Sequence, residues 1–259
     1  MLYPESKCPE ADKEVLRIMK SPLAKKFNND HQKLYSSLSE HSGEKIETWR
    51  DAGNVYDTLK IEKLHNLTMP DWVEPLWDKL VNISNWSFHL GFDSEVILRL
   101  RTGLLLKDMI SNIQKKINGK LPELKVFMYS SHDTQVSLLL HALGVYNMLA
   151  PPYCATIILE LHRNGQHNHF IKVFYLNDSS TDPYPLTLPE CPQPECPVGH
   201  FIHLTSNLIP QDWEKECGLA VEEVVSKNAI AVIGLGLAVS VLLIDLWSPD
   251  LAAVQTEGH

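Results

Sequence analysis

Apolar residues three or four positions apart dominate the first half of the chain and predict helices there. Residues 12–20, 23–39 and 44–59 combine helix formers with that spacing, and Pro70-Asp71-Trp72 opens a further candidate running toward Val81. The longest candidate spans 93–117, where Val96, Ile97, Leu100, Leu104, Leu105, Met109, Ile110 and Ile113 recur at helical spacing. That is the pattern of an amphipathic helix with one side in a core. Arg99, Arg101 and Lys107 on this segment have the charge of phosphate ligands, but a solvated outer face is the expected place for them.

The pattern changes after residue 118. Residues 124–130 carry Val126, Phe127 and Tyr129 in a short apolar run, which predicts a buried strand. Ser130-Ser131 ends the run, His132-Asp133-Thr134 follows, and Val136, Leu139, Leu140 and Leu143 then resume helical spacing. Asp133 belongs to the side-chain class preferred at helix N-caps. Strand, tight turn and helix in this order place the turn at the carboxyl end of a strand. There it adjoins a helix N-terminus whose free N–H groups and dipole favour an anion such as phosphate. An imidazole such as His132 can donate to a phosphate oxygen while a neighbouring carboxylic acid, Asp133, protonates a leaving-group oxygen. The bland alternative is that Asp133 only caps its helix. A Ser131-His132-Asp133 triad is a poor reading, because sequence neighbours rarely point at one another.

Two apolar runs, 157–162 and 170–175, flank Arg163-Asn164-Gly165-Gln166 and predict an antiparallel hairpin added to a sheet begun by 124–130. His162, His167 and His169 cluster at this hairpin, but with no nearby cysteine or acidic partner they are not expected to hold a metal. Residues 183–197 read as a proline-rich surface loop, and 198–206 as a short helix.

With 259 residues, 44% hydrophobic and 21% charged, the chain is long enough for a sizeable core, one domain with a helical lobe and a membrane tail. Its net charge of −9 argues against nucleic acid as a partner. It contains no internal repeat, Gly-rich phosphate loop or His-Glu-x-x-His motif, and no cofactor is expected.

The run 229–244, AIAVIGLGLAVSVLLI, approaches the length of one bilayer helix, and Leu246 and Trp247 extend it to 229–247. A buried core helix is the alternative, yet nothing after Leu246 offers a partner element. Lys227 precedes the run and the tail 248–259 has no Lys or Arg, contrary to a positive-inside arrangement with a cytosolic tail. The opening residues lack the apolar core of a signal peptide, whereas Asn66, Asn82, Asn85 and Asn177 begin glycosylation sequons that function only in the secretory pathway. The five cysteines are an odd number, so one thiol is left over.

Five stretches carry a family resemblance along nearly the whole chain. They are NVYDTL at 54–59, HNLTMPDW at 65–72, YSSHDTQVSLLLHALGVYN at 129–147 with Pro151-Pro152-Tyr153 after it, DPYPLTLPEC at 182–191 and IPQDWEKEC at 209–217. In that order they resemble the histidine acid phosphatases, most closely those of the prostatic and lysosomal type. The resemblance implies an α/β, phosphoglycerate-mutase-like histidine phosphatase fold, incomplete here. Residues 1–118 would be a helical lobe covering the active site, and 119–220 the C-terminal part of the α/β domain. It implies hydrolysis of phosphate monoesters at acid pH through a phosphohistidine, with His132 binding the phosphoryl group, Asp133 as proton donor and no metal. It also pairs Cys8 with Cys217 and Cys191 with Cys196, although the prolines between the latter two make a turn without a bond equally consistent. The family's third pair would fall at Ile61 and Thr156, which leaves Cys154 as the free thiol.

The family's nucleophile lies in an Arg-His-Gly-x-Arg-x-Pro motif, and no Arg-His-Gly occurs in these residues. Met1-Leu2-Tyr3-Pro4 resembles an internal position of the family. The expectation is therefore an N-terminally truncated acid phosphatase, inactive alone. In full-length form it would be a single-pass membrane protein with a luminal or extracellular catalytic part, lysosomal or secretory, with a homodimer suggested by the prostatic type. The tail lacks the tyrosine-based sorting motif of the lysosomal type. The alternative is a non-catalytic, membrane-anchored binding or interaction protein.

Overall fold

Helix ends in the first half are set by local hydrogen bonds. The computed structural model describes residues 2–3 and 6–219. Helix α1 (Pro9–Met19) begins on a proline, whose missing N–H costs nothing in a first turn. The Ser21 hydroxyl caps α2 (Pro22–Asp30) by accepting from Ala24 N. The single helix predicted over 23–39 is two, because α2 stops at His31 before α3 (Gln32–Ser42) begins. His31 stacks on Phe27 at 4.2 Å and its Nδ1 lies 2.8 Å from Phe27 O, so its side chain takes a carbonyl that a continuing helix would use. Gly43 ends α3 at φ 75°, and α4 (Trp49–Leu64) starts five residues later than the sequence predicts. Thr48 and Asp51 form a reciprocal capping box there, which fixes the true start. A 3-10 turn, Glu74–Leu76, leads into α5 (Trp77–Leu90). Tyr35, Leu38, Ala52, Leu80 and Ile83 form the buried centre of this helical part.

Helix α6 (Glu95–Ile117) is the long amphipathic helix of the sequence pattern. Arg99 and Arg101 are not the solvated face expected of them, whereas Lys107 is exposed as expected. Arg99 holds Glu216 through Nε (2.6 Å) and NH2 (3.0 Å) and donates to Asn207 O. Arg101, with its side chain only 10% exposed, holds Asp12 and Ser6 O, and Lys107 donates to Pro210 O. These groups fasten α6 to segments far away in sequence, which a local pattern cannot reveal. Gly103 allows the closest of these approaches. A Cβ there would collide with Leu208 O and lie 2.6 Å from Pro210 Cδ.

After α6 come α7 (Asp133–Ala142), β1 (Thr156–Arg163), β2 (His169–Leu176), β3 (Tyr184–Leu186), β4 (Cys196–Pro197), α8 (Val198–Thr205) and the single turn α9 (Trp213–Glu216). Strand β2 is central, antiparallel to β1 on one edge and to β3 and β4 on the other. The turn between β1 and β2 is a five-residue loop rather than a tight Asn-Gly turn, with Asn164 N donating to Asn168 O and His167 at φ 64°. Ile171 and Val173 of β2 pack with Leu106, Ile110, Leu139 and Phe201. A third cluster joins Cys8, Ile97, Leu100, Leu138 and Cys217. Cys8 is bonded to Cys217 across a separation of 209 residues, a closure that the chain-entropy account values at about 5 kcal/mol. Cys191 is bonded to Cys196, and Cys154 is free and exposed.

The predicted strand 124–130 does not join this sheet. Among the described residues it makes no backbone ladder, and its middle is open, Val126 being 70% and Met128 88% exposed. Side chains of α6 hold its two ends instead. Lys116 Nζ donates to Leu121 O, Pro122 O and Leu124 O at 2.8–2.9 Å, and Tyr129 donates to Asp108 (2.7 Å) while accepting from Asn112 (3.0 Å). The strand-forming residues are there, but no neighbouring strand among the described residues pairs with them. The predicted membrane helix 229–247 and tail 248–259 lie outside the described residues, among which no helix is long and apolar enough to cross a membrane.

Two stability outcomes follow from these contacts. Gly103→Ala should lower the urea midpoint by the equivalent of about 2 kcal/mol or more, whereas Gly53→Ala, with only ordinary contacts to Ser87, should be neutral or stabilising. Equal effects at the two sites would refute the close-approach argument. Val126→Glu with Met128→Glu should reduce hydrophobic-dye binding and self-association with little change in melting temperature, since these side chains touch solvent. A large drop in melting temperature would show that the segment is packed.

Candidate active site

His132 and Asp133 stand where the exposed segment meets a buried helix. His132 occupies the N-cap position of α7 with extended backbone (φ −107°, ψ 160°), and Asp133 is the first helical residue rather than the cap. The reason is local. His132 O accepts from Gln135 N (2.9 Å) and Val136 N (3.2 Å), so the helical bonding starts from His132. Asp133 Oδ1 instead accepts from Thr134 N at 2.6 Å. Both side chains are exposed, while Gln135, Ser137, Leu138, Leu139 and Leu140 behind them are buried. Among the described residues the Asp133 N–H has no acceptor, which leaves one first-turn donor and the helix dipole available to an anion.

The helix is held from below. Gln135 Nε2 donates to Thr102 Oγ1 of α6 at 2.7 Å, both residues being buried. On the other side Ser131 Oγ donates to Leu2 O, and the Tyr3 ring lies 6.0 Å from that of His132, edge to face.

Asp133 and Thr134 form one end of a cleft of about 270 Å³ between α7 and the helical part. Val15, Ile18 and Met19 of α1 line it, with Trp49, Arg50, Gly53, Asn54 and Asp57 from the α4 region and Ser84, Ser87 and Phe88 of α5. Tyr153, from the Pro151-Pro152-Tyr153 stretch, is exposed beside it. Partial burial raises the pKa of its hydroxyl, and the charges of Asp57 and Asp133 add to the effect. Lys60 Nζ sits 4.9 Å over the Tyr153 ring. The arrangement is an exposed polar corner beside a trough with mixed apolar and charged walls. Arg50, Asp57 and Lys60 were not singled out from the sequence. Their spacing along one helix is the available signal, since residues three and seven apart share a face.

The other predicted positions lie apart from this corner. Asn66 is an exposed loop residue at φ 54° and Asn82 is exposed on α5. Asn85 is half-buried with its Oδ1 accepting from Ala150 N at 2.9 Å, and Asn177 is half-buried just after β2. His162 is paired with Glu160 at 2.7 Å, and among the described residues no group of three or more His, Cys, Asp or Glu is arranged to hold a metal ion.

The chain matches the model of the histidine phosphatase superfamily (branch 2) over residues 5–176. It is 31% identical to lysosomal acid phosphatase of Rattus norvegicus over 98% of its own length and 60% of that protein's. With prostatic acid phosphatase of Rattus norvegicus the identity is 34% over 84% of this chain and 58% of the relative, and with human prostatic acid phosphatase 33% over 84% and 57%. The chain thus spans about three fifths of the length of these curated relatives.

One titratable group on α7 ties the site to acidity. His141 donates from Nδ1 to Ser137 O (2.9 Å), stacks on Tyr146 at 3.9 Å and, among the described residues, has no partner at Nε2. Burial lowers its pKa, and nearby His89 adds to this, against the opposing influence of Ser137 O and Asp93. The unfolded chain therefore binds a proton here that the folded one refuses. Stability from this group is complete above the ordinary histidine pKa, about 6.5, and falls as pH drops below it. His141→Gln should consequently lose less of its urea midpoint between about pH 7 and pH 5 than the unmodified chain. An identical or steeper loss in the variant would contradict the assignment.

Proposed function

The chain belongs to the histidine phosphatase superfamily (branch 2), and from that premise we propose that it carries the phosphate-binding and proton-donating part of an acid phosphatase acting on phosphate monoesters. The observation that carries the reading is the adjacency of His132 and Asp133 at the N-terminus of α7, with Asp133 lining a cleft of about 270 Å³ that could take the alcohol portion of an ester. The names of the relatives, lysosomal and prostatic acid phosphatase, supply the reaction class.

In this mechanism His132 and the amide dipoles of α7 hold the phosphoryl oxygens. A histidine nucleophile attacks phosphorus, the P–N bond forms as the ester P–O bond breaks, and Asp133 gives its proton to the departing oxygen. Water then attacks the phosphohistidine, releasing inorganic phosphate and the free imidazole. Within these 259 residues no Arg-His-Gly supplies that nucleophile. The exposed sequons at Asn66 and Asn82 and the two disulfides support a luminal or extracellular location, with the apolar run 229–244 as the proposed anchor. The absence of Arg-His-Gly also favours a second reading, a membrane-anchored protein that binds a phosphate compound in the same corner without hydrolysing it.

Loss of a nucleophile from a cooperating set costs on the order of 10⁶ in rate, so the chain alone should show no measurable hydrolysis of p-nitrophenyl phosphate at acid pH. Clear hydrolysis abolished by His132→Ala would overturn this. Fusing the Arg-His-Gly segment of a relative to the chain should restore turnover under the first reading. Continued inactivity of a folded fusion would favour the second.

A further inference from the structure

The cleft that ends on Asp133 has a charged wall that the phosphate itself does not require. Arg50, Asn54 and Asp57 lie four and seven residues apart on α4 and all face the cleft. At 1.5 Å per residue, Arg50 stands about 10 Å along the helix from Asp57. Tyr153 tells which end is which, since it lies within reach of the charges of both Asp57 and Asp133, with Lys60 over its ring. The Asp57 end is thus near the reacting corner, and Arg50 is at the far end, beside Met19 and Trp49.

Arg50 is also the exception among the helical arginines. Arg17 holds Glu14, Arg99 holds Glu216 and Arg101 holds Asp12, whereas among the described residues Arg50 has neither an ion pair nor a hydrogen bond. An exposed guanidinium lining a cleft with apolar walls offers a planar fork matched to a carboxylate. Asp57 would repel such a group near the phosphate, which confines it to the Arg50 end.

We propose that Arg50 is a specificity-determining residue that selects phosphate monoesters whose alcohol portion carries a carboxylate several ångströms beyond the ester oxygen, with an apolar spacer resting on Met19 and Phe88. The proposal rests on the phosphatase reading for the position of the phosphate, but not for the role of Arg50. A carboxylate seated there leaves the ester oxygen beside Asp133 and the apolar spacer out of water.

The test is titration calorimetry on the full chain with phenyl phosphate, 4-(2-carboxyethyl)phenyl phosphate and 3-phenylpropionate. The carboxyethyl ester should bind about 10-fold tighter than phenyl phosphate, as a charge-assisted contact of this kind allows. Arg50→Ala should erase that difference without changing phenyl phosphate binding, and Arg50→Lys should restore part of it. Equal binding of the two esters to the unmodified chain, or a difference that survives Arg50→Ala, overturns the proposal while leaving the phosphate corner intact. If His132→Ala leaves phenyl phosphate binding unchanged while 3-phenylpropionate still depends on Arg50, the phosphate reading fails and the carboxylate site stands. No binding of either ester overturns both.

Discussion

The position of the His132-Asp133 corner depends on one buried hydrogen bond, from Gln135 Nε2 to Thr102 Oγ1. Apolar contacts of Leu138 and Leu139 bring α7 against the core, but such contacts tolerate sliding by a turn. A buried amide and hydroxyl do not. A shift of α7 on α6 would leave both unpartnered, at a cost of about 1–3 kcal/mol for each orphaned group. Since Asp133 is two residues from Gln135, fixing that bond fixes where the carboxylate emerges. Helix α6 is in turn fixed, through Arg99 to Glu216, Arg101 to Asp12 and the Cys8–Cys217 bridge around its outer end. The chain places a flexible-looking turn precisely by stacking it on the most constrained helix it has.

How much of this could be read from the sequence varies with the range of the interaction. The length of α6 and the two hairpin strands follow from periodicity, a property of neighbouring residues. The break at His31 does not, because it has no proline or glycine and depends on a side chain reaching back to Phe27 O. Residues 124–130 have the composition of a strand, but a strand is completed by its partner, and composition says nothing about the partner. Arg99 and Arg101 read as solvent-facing because charge on a helix usually is, yet their carboxylates lie 117 and 89 positions away. In the candidate site, motif resemblance reached His132 and Asp133, which sit together in one stretch. It could not reach the trough, whose walls come from α1, α4, α5 and α7.

The acid working range proposed for the site sharpens a conflict within the fold. Helix α7, which His132 caps and Asp133 opens, has His141 in its last turn, and the fold favours the neutral form of His141 because its ring is buried. A protonated histidine in a last helical turn would gain from the dipole, but burial outweighs that gain here. Acidification therefore weakens the hold on the helix that positions the site. The compensating contributions are of a different kind. Glu216 is held below its usual range chiefly by the Arg99 bond, and Glu14 by Arg17 and Ser94, partly offset by burial. A carboxylate with a lowered folded pKa contributes above its unfolded value, about 4.3, and loses that contribution only as pH falls through the folded value. Both pairs are partly exposed, so each is worth little alone. The Cys8–Cys217 bridge does not titrate at all. In mildly acid solution the constraint on α6 consequently outlasts the one supplied by His141, and the His132-Asp133 corner is kept in place from the α6 side through Thr102 and Gln135.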